Sequence, residues 1–264
     1  MTKEKLRLCL LHASFAPADV RHNVEFLEKL LVTCLKKKPD LIITPELAVS
    51  GYEFRKVIGT DWIDKGVPAI IDKFCRWAAK NKTALLLGSP SYCAQTKQHY
   101  NSAFFIGEGG EVLGVRHKVN VLPGSEGWSS PGQDIKPIDW RGFKIGLLIC
   151  ADAYTPNIAG LLEQQGAAVL LSPAAWAPGM HGPNGEWEQR SKETGLNLFV
   201  CNRTGAEQNL NFCGSSSVVV IKGTRAMSYA DEQSAILTIE VDPNNWFPLN
   251  GQFEVIKVTD PEKA

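Results

Sequence analysis

Short, unbroken apolar runs alternate with amphipathic stretches along most of this chain, and that alternation limits its fold more than any other feature. KLRLCLLH (5–12), LIIT (41–44), ALLLG (84–88), FKIGLLI (143–149), AAVLLS (167–172), LFVC (198–201), SVVVI (217–221) and AILTIEV (235–241) read as short strands, LIIT as a buried one. Between the first two, Val20, Val24, Leu27, Leu31, Cys34 and Leu35 recur at spacings of three and four, a helical stripe that Pro39 ends. Residues 66–80, 156–165 and 186–194 read as further helices, and 99–106 with 111–118 as a hairpin turning at Gly107–Gly110. Strands interleaved with helices indicate an α/β protein. Residues 119–139, rich in Gly, Pro and Ser, hold no period and read as a long ordered loop. No composition break divides residues 1–264, so a single domain is expected, with 242–264 as a polar, proline-bearing tail.

Charge and cysteine usage exclude several classes of function. The 28 basic and 28 acidic residues cancel, which removes the electrostatic case for nucleic acid or an anionic membrane surface as main partner. No run approaches the length of a membrane span, and the start lacks a signal-cleavage pattern. The seven cysteines are odd in number, scattered and free of any CxxC, so reduced thiols in a cytoplasmic protein are expected rather than a disulfide framework or a zinc site. The five histidines show no HxxxH or HExxH spacing, and neither GxGxxG nor a P-loop occurs, so no metal or organic cofactor is expected.

Three predicted strands end in reactive side chains. LIIT runs into Pro45 and Glu46, EVLGVRHK ends at Lys118, and FKIGLLI runs into Cys150. In α/β sheets, ligands gather beyond the carboxyl ends of strands. A thiol is a strong nucleophile once deprotonated, a desolvated carboxylate can take its proton and return it to a leaving amine, and an ammonium can stabilise an oxyanion. The N–H of Ala151, just after the thiol, is a second oxyanion donor. Singly, each residue also has an ordinary reading: a core thiol at a strand end, a loop acid, a solvated lysine.

The surrounding blocks favour the chemical reading. "DLIITPELAVSGY" (40–52), "VRHKVNVLPGSEGWSSPGQ" (115–133) and "GLLICADAYTP" (146–156) resemble, in order, the three signature blocks of the nitrilase, or carbon–nitrogen hydrolase, superfamily. The resemblance continues through "GAAVLLSPAAW" (166–176), "RSKETGLNLFVCNRTG" (190–205) and "FCGSSSVVV" (212–220), so it spans roughly residues 5–241. It implies a four-layer αββα sandwich, a Glu46–Lys118–Cys150 triad, and a pairing of subunits through helices near 156–165 and 186–194 into a homodimer or higher homo-oligomer. "GSEGW" looks like the family's amidase branch, where Glu126 would orient the amide or assist Lys118; its ordinary reading is a loop ion-pair acid.

Other positions have both roles open. Tyr52 and Trp176 could line the pocket or serve as core aromatics, Asp152 is expected to cap the helix after the thiol, with Pro156 at that helix's start, and Arg203 and Asn202 are expected to be structural. Cys201 reads as core, and His117, adjacent to Lys118 on a strand, should face away from it. True nitrilases of the superfamily usually carry Trp-Glu after the cysteine, whereas this chain has Ala151-Asp152. "ADAYTP" also lacks the Arg of a carboxylate clamp, although Arg203 could supply one. The expected activity is therefore hydrolysis of a small, neutral amide with release of ammonia. A nitrile or N-carbamoyl substrate on the same triad, or a catalytically idle binding protein, are the alternatives.

Overall fold

The computed structural model describes residues 4–179 and 181–259. Its first half runs β1 (Leu6–His12), α1 (Val20–Leu35), β2 (Leu41–Ile43), a one-turn α2 (Arg55–Ile58), α3 (Ile63–Asn81), β3 (Ala84–Cys93), β4 (Gln98–Ile106) and β5 (Val112–His117). The second half runs β6 (Ile138–Trp140), β7 (Phe143–Leu147), α4 (Pro156–Gln164), β8 (Val169–Ala174), α5 (Glu186–Thr194) and β9 (Leu198–Asn202). It continues through a β10 (Ala206–Glu207) and β11 (Leu210–Asn211) ribbon, β12 (Ser217–Ile221), β13 (Thr224–Tyr229), β14 (Ala235–Val241) and β15 (Glu254–Lys257).

Two sheets result, ordered β15-β14-β1-β2-β3-β4-β5 and β13-β12-β9-β8-β7-β6. Each has a parallel trio at its heart, β1-β2-β3 in one and β7-β8-β9 in the other. Strand alternation assigns the side chains. Leu8 and Leu10 of β1, with Leu41, Ile43, Leu86 and Phe105, pack with Leu147, Leu170 and Val200 of the second sheet. Cys9 and Leu11, with Ile42, Leu85 and Leu87, instead meet Phe26, Leu27, Leu30 and Leu31 of α1 and Phe74 and Ala78 of α3. On the far side, Ile158, Ala159 and Leu162 of α4 and Trp187 of α5 close over the second sheet. The layers are α, β, β, α, and the unbroken apolar runs follow because both faces of these strands are covered. Each fully buried leucine contributes about 2 kcal/mol.

Several elements differ from the sequence expectation. The 119–139 stretch is without strand or helix until β6, which pairs with β7 through Ile138 opposite Ile145. The expected tail contains β15, which adds an antiparallel edge strand to β14, while residues 260–264 lie outside the described part. β13 carries three consecutive exposed residues, Thr224 to Ala226, and so lacked an apolar run to mark it. Among the described residues, no helix is long and apolar enough to cross a membrane.

A close backbone crossing sets the end of β2. A Cβ on Gly88 of β3 would sit 2.1 Å from the Pro45 carbonyl oxygen and 2.9 Å from the Leu47 nitrogen. Both are backbone atoms, so neither can swing aside. Gly88→Ala should therefore destabilise the fold by about 2 kcal/mol or more through overpacking and displace the segment that carries Glu46. Urea unfolding of the variant measures the loss, and an unchanged midpoint would show that the crossing tolerates a side chain.

Candidate active site

β2 and β5 run in the same direction, because β3 is parallel to β2 and two antiparallel steps lead from β3 to β5. Their carboxyl ends thus share one edge of the first sheet. The second sheet contributes at that edge through β7, whose chain passes into a one-turn 3-10 helix, Cys150–Tyr154. Cys150 opens this turn with a φ of 48°, a left-handed conformation costly for a residue with a Cβ. The turn places Cys150, itself buried, against the wall of a cleft of about 610 Å³.

Glu46, Lys118 and Glu126 form a fully buried ionic cluster behind Cys150. The Lys118 ammonium donates to Glu46 Oε1 at 2.7 Å and to Glu126 Oε1 at 2.5 Å. Asn101 Nδ2 donates to the same two oxygens, at 2.7 Å and 3.2 Å. Glu46 Oε2 accepts from the Ala175 N–H at 2.9 Å. Glu126 also accepts from the Tyr52 hydroxyl at 3.0 Å and, through Oε2, from the Leu122 N–H at 3.0 Å. Tyr52 is held in turn by Glu207, which accepts from the Tyr52 and Glu53 N–H groups and pairs with Arg203.

The charges do not balance: two carboxylates face one ammonium. Burial pushes the Glu46 carboxyl up to about 7, against the pull of Lys118 and with the push of Glu126. Burial also draws Lys118 down, but Glu46 and Glu126 outweigh it and hold the ammonium well above its usual range. The Cys150 thiol is raised well above its ordinary value by burial first, then by Glu46, with Lys118 and the Ala175 backbone opposing. At neutral pH the arrangement is a protonated thiol near a carboxyl poised between its two forms. Ala151, the residue after the thiol, lies on the cleft wall.

The structure brings together Glu46, Lys118, Glu126, Cys150, Ala151, Tyr52 and Trp176. Tyr52, Cys150, Ala151 and Trp176 line the cleft, and Glu126 joins Lys118 beneath it. His117 turns to the opposite face and stacks on Tyr100 at 4.1 Å. Cys201 sits between the sheets, its thiol directed at the carbonyls of Leu11 and Ile43. Asn202 is structural, bonding the backbone N–H and carbonyl of Trp176 through its side chain.

Asp152 corrects an expectation. It does not cap α4, whose Thr155 N-cap has no side-chain bond and whose first residue is Pro156. Its carboxylate accepts from the N–H groups of Val119 (2.9 Å), Asn120 (2.8 Å) and Ile149 (3.0 Å). Being fully buried, it serves the interior donors of the loop after Lys118, tying that loop to the segment bearing Cys150. Asn101 and the cleft residues Tyr154 and Phe212 carried no signal in the sequence. Asn101 was hidden as one polar residue in a hairpin strand, and the other two depend on how distant loops fold over the site.

With this geometry in place, comparison with known proteins decides the family. The carbon-nitrogen hydrolase family model matches residues 8–249. The chain belongs to the carbon–nitrogen hydrolase family. A Schizosaccharomyces pombe protein named as a probable nitrilase is 25% identical over 244 residues, covering 89% of this chain and 88% of the relative. An omega-amidase of Saccharomyces cerevisiae is 24% identical over 260 residues, covering 91% and 88%. Among solved structures, an amidase from Nesterenkonia sp. AN1 superposes with a TM-score of 0.79 at 25% identity, covering 91% of this chain and 94% of its own.

Asn101 offers a direct test of the cluster's electrostatics. Asn101→Leu keeps similar volume but removes a donor that lowers the Glu46 pKa, leaving Lys118 alone to oppose burial and Glu126. The Glu46 midpoint should move above about 7, as read by ¹³C NMR of the labelled carboxyl. An unchanged or lowered midpoint would show that the amide does not hold this carboxylate.

Proposed function

We propose that this carbon–nitrogen hydrolase is a cysteine-dependent amidase that cleaves a small, uncharged amide through a thioester at Cys150. The observation that carries the reading is the position of Ala175. Its N–H donates to Glu46 Oε2, and its backbone also acts on the Cys150 thiol, so the carboxylate and the thiol have a common neighbour. Glu46 Oε1 accepts from Lys118 and Asn101, whereas Oε2 accepts only the Ala175 N–H among these bonds and keeps a lone pair for the thiol proton.

In this mechanism Cys150 Sγ bonds to the amide carbonyl carbon while its proton passes to Glu46 Oε2. An ammonium has three N–H donors. Lys118 spends two, on Glu46 and Glu126, and its third, with the Ala151 N–H, stabilises the oxyanion. The C–N bond then breaks, Glu46 returns its proton to the leaving nitrogen, and ammonia departs. Water attacks the thioester, gives a proton to Glu46, and the acid leaves as Cys150 recovers its hydrogen. Glu126, anchored by Tyr52 and the Leu122 N–H, fixes the ammonium and orients the substrate nitrogen. The relatives carry nitrilase and amidase names alike. Ala151-Asp152 after the thiol favours the amidase side, as does Glu126 within the cluster.

Glu46 must be ionised to accept the thiol proton. Because its folded-state pKa is about 7, kcat/KM should fall as pH drops through that value and level off above it. Glu46→Gln should lose roughly 100-fold to 10,000-fold in kcat, the usual scale for a general base. Cys150→Ala should abolish ammonia release from amides and leave the thermal midpoint nearly unchanged. Turnover surviving in Cys150→Ala would end the thioester reading, and ammonia from nitriles or carbon dioxide from N-carbamoyl compounds in preference to amides would move the substrate class.

A further inference from the structure

The cleft in front of Cys150 is wide for a simple aliphatic amide, and its walls are unusual in where their polar atoms point. Tyr52, Tyr154, Trp176 and Phe212 line it. Each polar tip among them is already bonded away from the opening. The Tyr52 hydroxyl meets Glu126 and Ser125, while Trp176 Nε1 donates to the His181 carbonyl at 3.1 Å and the Tyr154 hydroxyl donates to that same carbonyl. Leu122, Pro123, Ala177, Pro178 and Leu210 complete an apolar wall.

Among the described residues no Lys, Arg, Asp or Glu lines the cleft. Lys118 lies beneath the floor, held by two carboxylates. Arg203, a cation the sequence left available as a carboxylate clamp, lies behind Phe212. Its guanidinium sits 4.5 Å from that ring's centroid and is buried, paired with Glu207 and bonded to the Phe15 carbonyl. The arginine thus stiffens the aromatic wall from outside. Besides the thiol and the ring tips, the polar side chains on the wall are Ser125, whose hydroxyl is paired with Tyr52, and His181, so a ligand carboxylate entering here would lose its hydration with no lysine or arginine to replace it.

We infer that the acyl subsite of this enzyme takes a bulky uncharged group, an aromatic ring or branched hydrocarbon, and rejects acyl chains that end in a carboxylate. The inference rests on Cys150 as nucleophile for its kinetic expression but not for its binding expression. An apolar cleft of about 610 Å³ falls within the range of sites that enclose a whole organic ligand. The rings can stack on an aromatic acyl group at its faces and edges.

The test compares propionamide, 3-phenylpropionamide and succinamate, which share the reacting amide and the two methylene-level carbons next to it. In the wild-type enzyme, 3-phenylpropionamide should exceed propionamide by about 100-fold or more in kcat/KM, since even one methylene in such a pocket discriminates by roughly 10-fold or more. Succinamate should fall below propionamide. Phe212→Ala should bring the phenyl-to-propionamide ratio below about tenfold, because part of the wall is gone. Calorimetry on Cys150→Ala supplies the readout that is independent of turnover: 3-phenylpropionamide should bind and succinamate should not. If the wild-type enzyme hydrolyses no amide but this binding order holds, the subsite stands and the amidase reading falls. Succinamate preferred over 3-phenylpropionamide, in rate or in binding, overturns the inference, as does a phenyl ring that brings no gain.

Discussion

A fully buried lysine ammonium between two fully buried carboxylates is the constraint on which the rest of this structure turns. Removing three charges from water is costly unless each finds partners of good geometry. Lys118 therefore requires Glu46 and Glu126 within hydrogen-bond reach, and the two acids require Asn101, Tyr52 and the N–H groups of Ala175 and Leu122. Burial first, and the neighbouring Glu126 after it, raise the Glu46 carboxyl to about 7 against the pull of Lys118. The feature that makes the cluster expensive is thus the one that supplies a base near neutrality.

The sandwich is built to meet that constraint. Glu46 and Lys118 leave the same edge of one sheet, and Cys150 comes to them from the other. Three devices hold the junction. Gly88 lets the end of β2 lie directly on β3. The left-handed turn at Cys150 aims the thiol out of its strand line. Asp152 fastens the loop after Lys118 to the turn after the thiol. A second buried pair, Arg203 and Glu207, supports Tyr52 and Phe212 in the same way, so ion pairs frame both the reacting groups and the cleft wall.

Much of this was legible in advance, for identifiable reasons. Strands covered on both faces have no polar alternation, so their apolar runs stood out, and the reactive residues were legible as the groups lying just past strand ends. The period of two placed His117 opposite Lys118 before any coordinates. Elements that lean on a neighbour were not legible. β13 has one buried residue, Met227, and β15 pairs with β14 through a short polar stretch that resembles a tail. Asp152 was misread because a local helix start offered an obvious role, whereas burial gave it three donors from two other segments.

By resemblance, the family blocks implied the four-layer plan; the sequence alone determined the α/β alternation and the strand ends that carry Glu46, Lys118 and Cys150. Those features are local: they follow from hydrophobic period and from the order of residues along one strand. Only the tertiary structure decided that Asn101 joins both carboxylates, that the cation of Arg203 is turned away from the cleft, and that the polar tips of Tyr154 and Trp176 meet on the carbonyl of His181. Those contacts join residues whose approach depends on which strands become neighbours and how the loops cross above them. Periodicity fixes the face on which a side chain lies, whereas its partner is chosen by packing and by the need to satisfy every charge and hydrogen bond taken out of water.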